Sequence, residues 1–576
     1  MNSHFIPIVV LSAFSILLFF LCLIKIVFVF KVVLYIIGLC LSVFSFIYNL
    51  KLKNRENKIC IINRDMIFIL IIFLFLCVLL YGHRFEWWDS YSHWGIMVKR
   101  MLLTNSFPDN NDKSIQYVSY PPSVSLLIYY FCSFVDSNDY TMAACLIMIT
   151  LFSLYTFLFL AEKKGFIYHI VIILLLAGFF IYNYAPTDIM VDEQLSTVGA
   201  AGILYIICHK ENLNEYKMVL PLCLLVSFES LIKSSGIYFS IITVLYYVIF
   251  NKVEKRKFAF VLSLLIIPLA IWGIHVKVAF PRLDYSNHAV SISRYLRVFK
   301  TRNNNEILKL VRVYSRSFFQ SYHILLFFIF LVILSLLLYR IKKNNNIDDR
   351  VLEIRVFLSK VLFFFICYIV WALFLFGMYL FSLEDGDVLE LPSFGRYMGS
   401  ASLFVIIILE TEFINSGLLD FFIERKYMKK TRLEYLFALL ICLYFVVSQI
   451  VPTFIGFDLF EKGNMVSPHF RDKCYSIKFD YDMPDDAKCL VFDGYFYDPH
   501  TKSEDAKLRP GETYVFQYVF NTGDFIFVDL ENYKRLKDDY DYLIITCDNT
   551  YLTKQLFEYL EVDYMINEDI KVLKLE

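Results

Sequence analysis

The sequence predicts an α-helical polytopic membrane protein of about thirteen helices that ends in a small extracytoplasmic α/β domain. Three observations carry that reading. Of 576 residues, 58% are hydrophobic and 19% charged, against roughly 45–50% and about 25% in soluble domains. Apolar runs near the 20 residues or so that cross a bilayer core recur from residue 5 to 452. Beyond that point the material changes: residues 453–576 hold 25 Asp and Glu against 14 Lys and Arg, a net of −11. The whole chain has 55 residues of each sign, so residues 1–452 carry +11 and the zero average conceals two unlike parts. A disordered or disulfide-stapled protein is excluded.

The runs place spans at 5–24, 27–49, 65–81, 140–160, 166–183, 189–208, 217–231, 235–250, 257–279, 321–340, 356–382, 397–414 and 434–452, with 217–250 also readable as one long helix. The first run lacks a basic start and a small-residue cleavage site, and a second follows at once, so no signal peptide is expected. Orientation follows from Lys and Arg in short loops, which stay cytoplasmic. The basic segments are 51–58, Lys163-Lys164, Lys252 with Lys255, Arg256 and Lys257, Arg340 with Lys342 and Lys343, and 424–430. Placing all of them inside puts the N-terminus in the cytoplasm of a cell-membrane protein. It leaves 82–139, 281–320, 384–396 and everything after 453 outside. PPSVSLLIYYFCSF (121–134) is too short to span and is expected as an interfacial or re-entrant helix on the outer face.

The chain thus divides into a membrane domain, 1–452, and an acidic domain, 453–576. In the latter KCLVF (488–492), YVFQYVF (514–520), DFIFVDL (524–530) and YDYLIITC (540–547) read as strands, and TYLTKQLFEYL (550–560) as a helix. About 120 residues suffice for a separate core. Most of the 13 cysteines sit in or beside spans as small hydrophobes. Among Cys474, Cys489 and Cys547 one pair is able to bridge.

The densest polar cluster is RFEWWDSYSHWGIMVKRML (84–102), just outside the third span. It reads either as an aromatic belt with solvated charges or as a site. Asp89 and His93, four apart, share one face of a short helix. A carboxylate held against Trp88 and Trp94 is partly desolvated, which makes it a better base. Asp188, Asp192 and Glu193 lie at the outer end of another span, readable as snorkelling charges or as a second acidic wall. That wall suits acceptor hydroxyls or a divalent cation such as Mg or Mn. Lys233 sits at the tip of a helical hairpin, an interfacial anchor or a cation for a lipid phosphate. The outer segment 281–320 carries Arg282, Arg294, Arg297, Lys300, Arg302, Lys309, Arg312 and Arg316, an amphipathic interfacial element or a surface for anionic head groups. No Walker or dinucleotide glycine loop occurs, and no nucleic-acid partner is expected.

The stretch WDSYSHWGIMVKRML followed by YPPSVSLL (120–127) resembles the first outer loop of bacterial GT-C-type glycosyltransferases, multi-pass enzymes that use a polyprenyl-phosphate-linked sugar. The resemblance spans the membrane part in layout, while its specific motifs cover some 40 residues. It implies that Asp89 is the catalytic base, with His93 beside it. Ser90 stands where the family has a second acid. The segment LPSFGRYMG (391–399) is similar to the family's Phe-x-Arg-Tyr segment, which makes Arg396 and Tyr397, with Lys233, the expected donor-phosphate ligands. Tyr120 joins Asp188, Asp192 and Glu193 on the acceptor side. The expected activity is transfer of a monosaccharide from the lipid carrier to a hydroxyl of an envelope glycan or glycolipid on the outer face. Two other readings stand beside it: a polysaccharide polymerase or ligase working on lipid pyrophosphates through Arg294 and Arg297, and a lipid-sugar flippase or transporter.

Overall fold

The computed structural model describes residues 2–51, 63–110, 112, 115, 117–160, 188–281, 292–321, five positions between 324 and 335, 351–382, 388–416, 468–485, 487–492, 510–521, 525–528, 530–545, 551–560 and 571–575. The expected spans 166–183 and 434–452, most of 321–340, most of the basic loops, Arg282 and Cys547 lie outside these residues.

Helices α1 (Ile6–Leu23), α2 (Val27–Lys51) and α3 (Arg64–Leu80) lead to a π-helical turn, Ser90–Gly95, and the short α4 (Ile96–Thr104) and α5 (Ser123–Cys132). There follow α6 (Asp139–Tyr155), α7 (Asp192–His209), α8 (Tyr216–Ser230), α9 (Gly236–Phe250) and α10 (Lys255–Ala279). The membrane part continues with α11 (Ile292–Thr301), α12 (Asn304–Gln320), α13 (Val351–Ser382) and α14 (Phe394–Asn415). Among the described residues five helices are long and apolar enough to cross a membrane: Ser3–Leu23, Asp139–Leu160, Lys255–Ala279, Glu353–Phe381 and Phe394–Asn415. Rows of exposed apolar side chains, such as Phe28 and Ile36 on α2, Ile71 and Phe75 on α3, and Leu362 and Phe374 on α13, form a belt far larger than water-facing surfaces tolerate. By contrast α14 and α7 pack on each other and are buried nearly all round.

Residues 217–250 form two helices, as the separate spans 217–231 and 235–250 predict, because the chain turns at 231–235. A Cβ on Gly236 would lie 2.1 Å from the Glu229 carbonyl oxygen, so only glycine permits that tight return. The segment 121–134 forms the ten-residue α5, about 15 Å long and too short to span. Its sequence has no polar face to keep wet, and nearly every residue is buried among α1, α4 and α6. Ser15 Oγ donates to the Ser123 carbonyl at 3.0 Å, and Ser123 N donates to the Leu231 carbonyl at 3.0 Å. The helix is thereby fastened to the α8–α9 hairpin that carries Lys233.

The basic outer segment, where described, is two amphipathic helices. An Asn303–Glu306 capping box starts α12, the reciprocal pairing that satisfies two helix-end N–H groups. Arg302 is buried and donates to the Tyr379 carbonyl at 3.3 Å.

The C-terminal domain is built from α15 (Pro468–Asp480), β1 (Cys489–Phe492), α16 (Pro510–Phe520), β2 (Phe525–Phe527), α17 (Leu530–Leu536), β3 (Tyr542–Ile545), α18 (Tyr551–Leu560) and β4 (Lys571–Lys574). The sheet order is β2-β1-β3-β4; β1 pairs in parallel with both β2 and β3, and β4 runs antiparallel to β3. Side chains alternate between two buried faces. Cys489, Val491 and Ile544 join the core that includes α16, whereas Leu490, Phe492, Leu543 and Ile545 pack with Val528, Tyr533, Leu556 and Phe557. The expected strand 514–520 is instead the second half of α16. Its β-branched and aromatic content favours a strand locally, but residues 515–520 are buried all round, and packing overrides propensity. Cys474 and Cys489 do not bridge each other.

Candidate active site

The polar cluster 84–102 is held from below by two buried carboxylates. Asp188 Oδ1 accepts from the Glu86 N–H at 3.1 Å, the Trp87 N–H at 3.0 Å and Ser90 Oγ at 2.8 Å. Burial pushes its carboxyl up to about 7, against the pull of these donors. Asp139 accepts from the Phe85 N–H at 3.1 Å and from the hydroxyls of Tyr475 and Tyr518, both at 2.6 Å. Tyr91 and Arg471 both donate to the Phe85 carbonyl, at 2.5 and 3.1 Å. Asp139 therefore joins the loop, the start of α6 and the C-terminal domain.

The π-helical turn that follows contributes to the same interlock. A Cβ on Gly95 would come within 2.7 Å of the Tyr518 ring, so glycine makes room for α16. Lys99 Nζ donates to the Tyr518 carbonyl at 3.0 Å and Arg100 to that of Asn521 at 3.0 Å. Two cations thus satisfy the last carbonyls of α16, where unpaired C=O groups and the helix dipole call for positive charge. Arg100 is itself paired with Asp112 at 2.5 Å.

Above this base sits a charge cluster drawn from four distant segments. Arg396, in the first turn of α14, pairs with Asp89 at 2.5 Å and lies 3.2 Å from Asp192, which opens α7. Lys233, from the α8–α9 hairpin, pairs with the other Asp192 oxygen at 2.9 Å. Its ammonium faces the rings of Tyr397 at 4.9 Å and Tyr120 at 5.8 Å. Asp89 is the most accessible member, its side chain 22% exposed against 6% for Asp192 and 7% for Lys233. Two non-glycine residues with left-handed backbone, Leu391 (φ 48°) and Ser393 (φ 61°), aim the start of α14. Such strain is found where surrounding structure holds a functional group in place.

The expected site residues thus part into three groups. Asp89, Asp192, Lys233, Arg396, Tyr397 and Tyr120 come together. Glu193 follows Asp192, half-buried at the start of α7. Asp188 holds its carboxylate against loop N–H groups and Ser90. His93 belongs to the π-helical turn. It is buried between Trp94 at 4.4 Å and Tyr120 at 5.1 Å, ring centroid to ring centroid, and neither ring nitrogen meets a hydrogen-bond partner among the described residues. Burial, with the Lys233 charge, pushes its pKa down to about 3. Among the described residues no three His, Cys, Asp or Glu side chains are grouped to hold a metal ion, and Asp192 is committed to cations.

Sequence reasoning missed Asp139, Tyr475, Tyr514 and Tyr518. Asp139 is indistinguishable by pattern from a helix-start carboxylate, and the tyrosines read as strand or helix core. The Tyr514–Tyr518 spacing of four was the one available signal.

No family model matches the chain, and no curated protein does. Among solved structures it is similar to ArnT from Cupriavidus metallidurans in the apo state, at 9% identity and a TM-score of 0.43, over 88% of this chain and 97% of that one. It is likewise similar to the same protein bound to undecaprenyl phosphate, at 10% identity and a TM-score of 0.42, over 88% of this chain and 98% of that one.

Proposed function

We propose that the chain is an integral-membrane glycosyltransferase of the GT-C type. It moves a monosaccharide from a polyprenyl-phosphate carrier to a hydroxyl of an envelope glycan or glycolipid, with the Asp89 loop and the C-terminal domain on the outer face. The observation that carries this reading is the Asp89–Arg396 pair. Residues 307 positions apart are in hydrogen-bond contact, one suited to remove a proton and the other to hold a phosphate.

The acceptor hydroxyl loses its proton to Asp89 as its oxygen forms the bond to the anomeric carbon. The bond from that carbon to the phosphate oxygen breaks, and the electron pair leaves with the polyprenyl phosphate. Arg396 and Lys233 stabilise the negative charge gathering there. A single displacement inverts the anomeric centre, and the proton passes from Asp89 to water. A donor phosphate that takes over the Arg396 N–H groups releases Asp89 from its ion pair, so the donor binds first and the carboxylate is then open to the acceptor hydroxyl.

The test is genetic and chemical. The envelope glycan of a deletion strain lacks one sugar substituent; wild-type protein restores it, and Asp89→Asn, inserted at equal level, does not. Restoration by Asp89→Asn would end the assignment. If Arg297→Ala abolished it instead, the polymerase or ligase reading would take precedence.

A further inference from the structure

The C-terminal domain does more than sit beside the cluster. Its docking is built from buried and part-buried hydrogen bonds: Tyr475 and Tyr518 to Asp139, Lys99 and Arg100 to the end of α16. One turn before Tyr518 on α16 is Tyr514, and residues four apart share a helix face. Tyr514 is half-buried, while residues 515–520 that follow are buried. Its ring lies 6.2 Å from that of Trp88 at an angle of 59°. Trp88 is itself half-buried and precedes Asp89 in the chain. Two half-buried aromatic rings from different domains therefore meet beside Asp89.

The charges around Asp89 say which substrate belongs there. Arg396, Lys233 and Asp192 form one connected group, so the donor phosphate is drawn to that side. The acceptor hydroxyl must approach Asp89 from a side Arg396 does not fill. Uncharged aromatic rings suit neither a phosphate nor a carboxylate. They suit a sugar ring, whose C–H face is apolar and polarised toward the electron-rich face of an arene, while its hydroxyls remain free for a base.

We infer that Trp88 and Tyr514 form an acceptor subsite for a pyranose ring, so that the C-terminal domain supplies one wall of the active site. The inference rests on the glycosyltransferase reading. Its test is a binding measurement that needs no turnover. Purified full-length protein is titrated with the methyl glycosides of glucose, N-acetylglucosamine and mannose, followed by saturation-transfer NMR. At least one glycoside binds, with its ring C–H protons receiving the saturation. Binding weakens about 5–10-fold in Trp88→Ala, Tyr514→Ala and Tyr514→Leu, the scale of one aromatic contact. It is unchanged in Tyr514→Phe, which keeps the ring. Thermal midpoints, measured on each variant, identify any that fails to fold, and the Leu and Phe pair then decides. Binding of none of the glycosides, or binding indifferent to Tyr514→Leu, overturns the subsite. The glycosyltransferase reading fails separately, through sugar transfer by Asp89→Asn.

Discussion

Four aspartates surround the loop after the third helix, and they are neutralised in two different ways. Asp139 and Asp188 are buried and satisfied by N–H and hydroxyl donors of the protein itself. Asp89 and Asp192 are satisfied by the charged groups of Arg396 and Lys233. The contrast separates scaffold from chemistry. A carboxylate held by backbone N–H groups has its partners fixed by the fold, and nothing small can replace them. A carboxylate held by a guanidinium loses that partner as soon as a phosphate competes for it. The lower pair holds the loop in place; the upper pair is arranged to be rearranged.

The widest separation between the two pairs is in catalysis. Asp89→Asn removes the base and lowers transfer by about 10²–10⁴-fold, the usual worth of a positioned base, whereas Asp188→Asn keeps the loop and costs little at neutral pH. Equal losses in both, assayed in membranes charged with a synthetic polyprenyl-phosphate sugar, would erase the distinction. Next in size is Arg396. Replacing it with Ala leaves Asp89 and Asp192 short of a cation and takes a ligand from the phosphate. Its affinity for vesicles containing undecaprenyl phosphate falls about 10–100-fold, the scale of a lost charge-assisted pair, while methyl glycoside binding is unchanged. Loss of glycoside binding instead would move Arg396 to the acceptor side.

The lower pair predicts effects on stability and docking. Asp139→Ala removes the carboxylate acceptor of the Tyr475 and Tyr518 hydroxyls and leaves Tyr518 the weak Met142 Sδ acceptor at 3.9 Å, a cost of about 1–3 kcal/mol for a buried group so deprived. Limited proteolysis then cuts the C-terminal domain free at lower protease than in wild type, and Tyr518→Phe gives a smaller change in the same direction. Unchanged proteolysis in Asp139→Ala would show that the end-capping by Lys99 and Arg100 holds the domain alone.

How much of this was readable from the chain follows the same division. The spans were legible because a bilayer imposes length and apolarity on contiguous residues. Asp89 and Arg396 stood out through the resemblance carried by their segments, and Lys233 as a charge at a hairpin tip. Spacing does not reveal whether Asp188 meets N–H groups or cations. His93 stood out in the motif, yet its packing against Tyr120 joins residues far apart in sequence. Residues 514–520 of α16 read as a strand because their neighbours, not their own propensity, decide their form. The Asp139 latch was invisible for the same reason: its donors lie 336 and 379 residues away.

The smallest effect, and the most specific to the scaffold pair, is a pH dependence of stability. Burial holds the Asp188 carboxyl near 7, above the ordinary value of 3.8 that it regains on unfolding. Between those values the folded state keeps a proton that the unfolded state has released. Protons therefore favour folding: the contribution is full below about pH 4 and is lost as pH rises through about 7. The thermal midpoint should fall over that window and level off above it, at roughly 2–4 °C for each kcal/mol. Asp188→Asn tests the cause directly. The donors from Glu86, Trp87 and Ser90 all reach the same oxygen, Oδ1, so the amide carbonyl can keep them without carrying charge. The variant should match wild type at pH 5, exceed it at pH 8, and have a flatter profile between. A wild-type profile that is already flat, or a variant equally steep, would mean that the three donors hold Asp188 ionised throughout. In that case burial loses to hydrogen bonding at this carboxylate, and the scaffold pair resists acid as well as base.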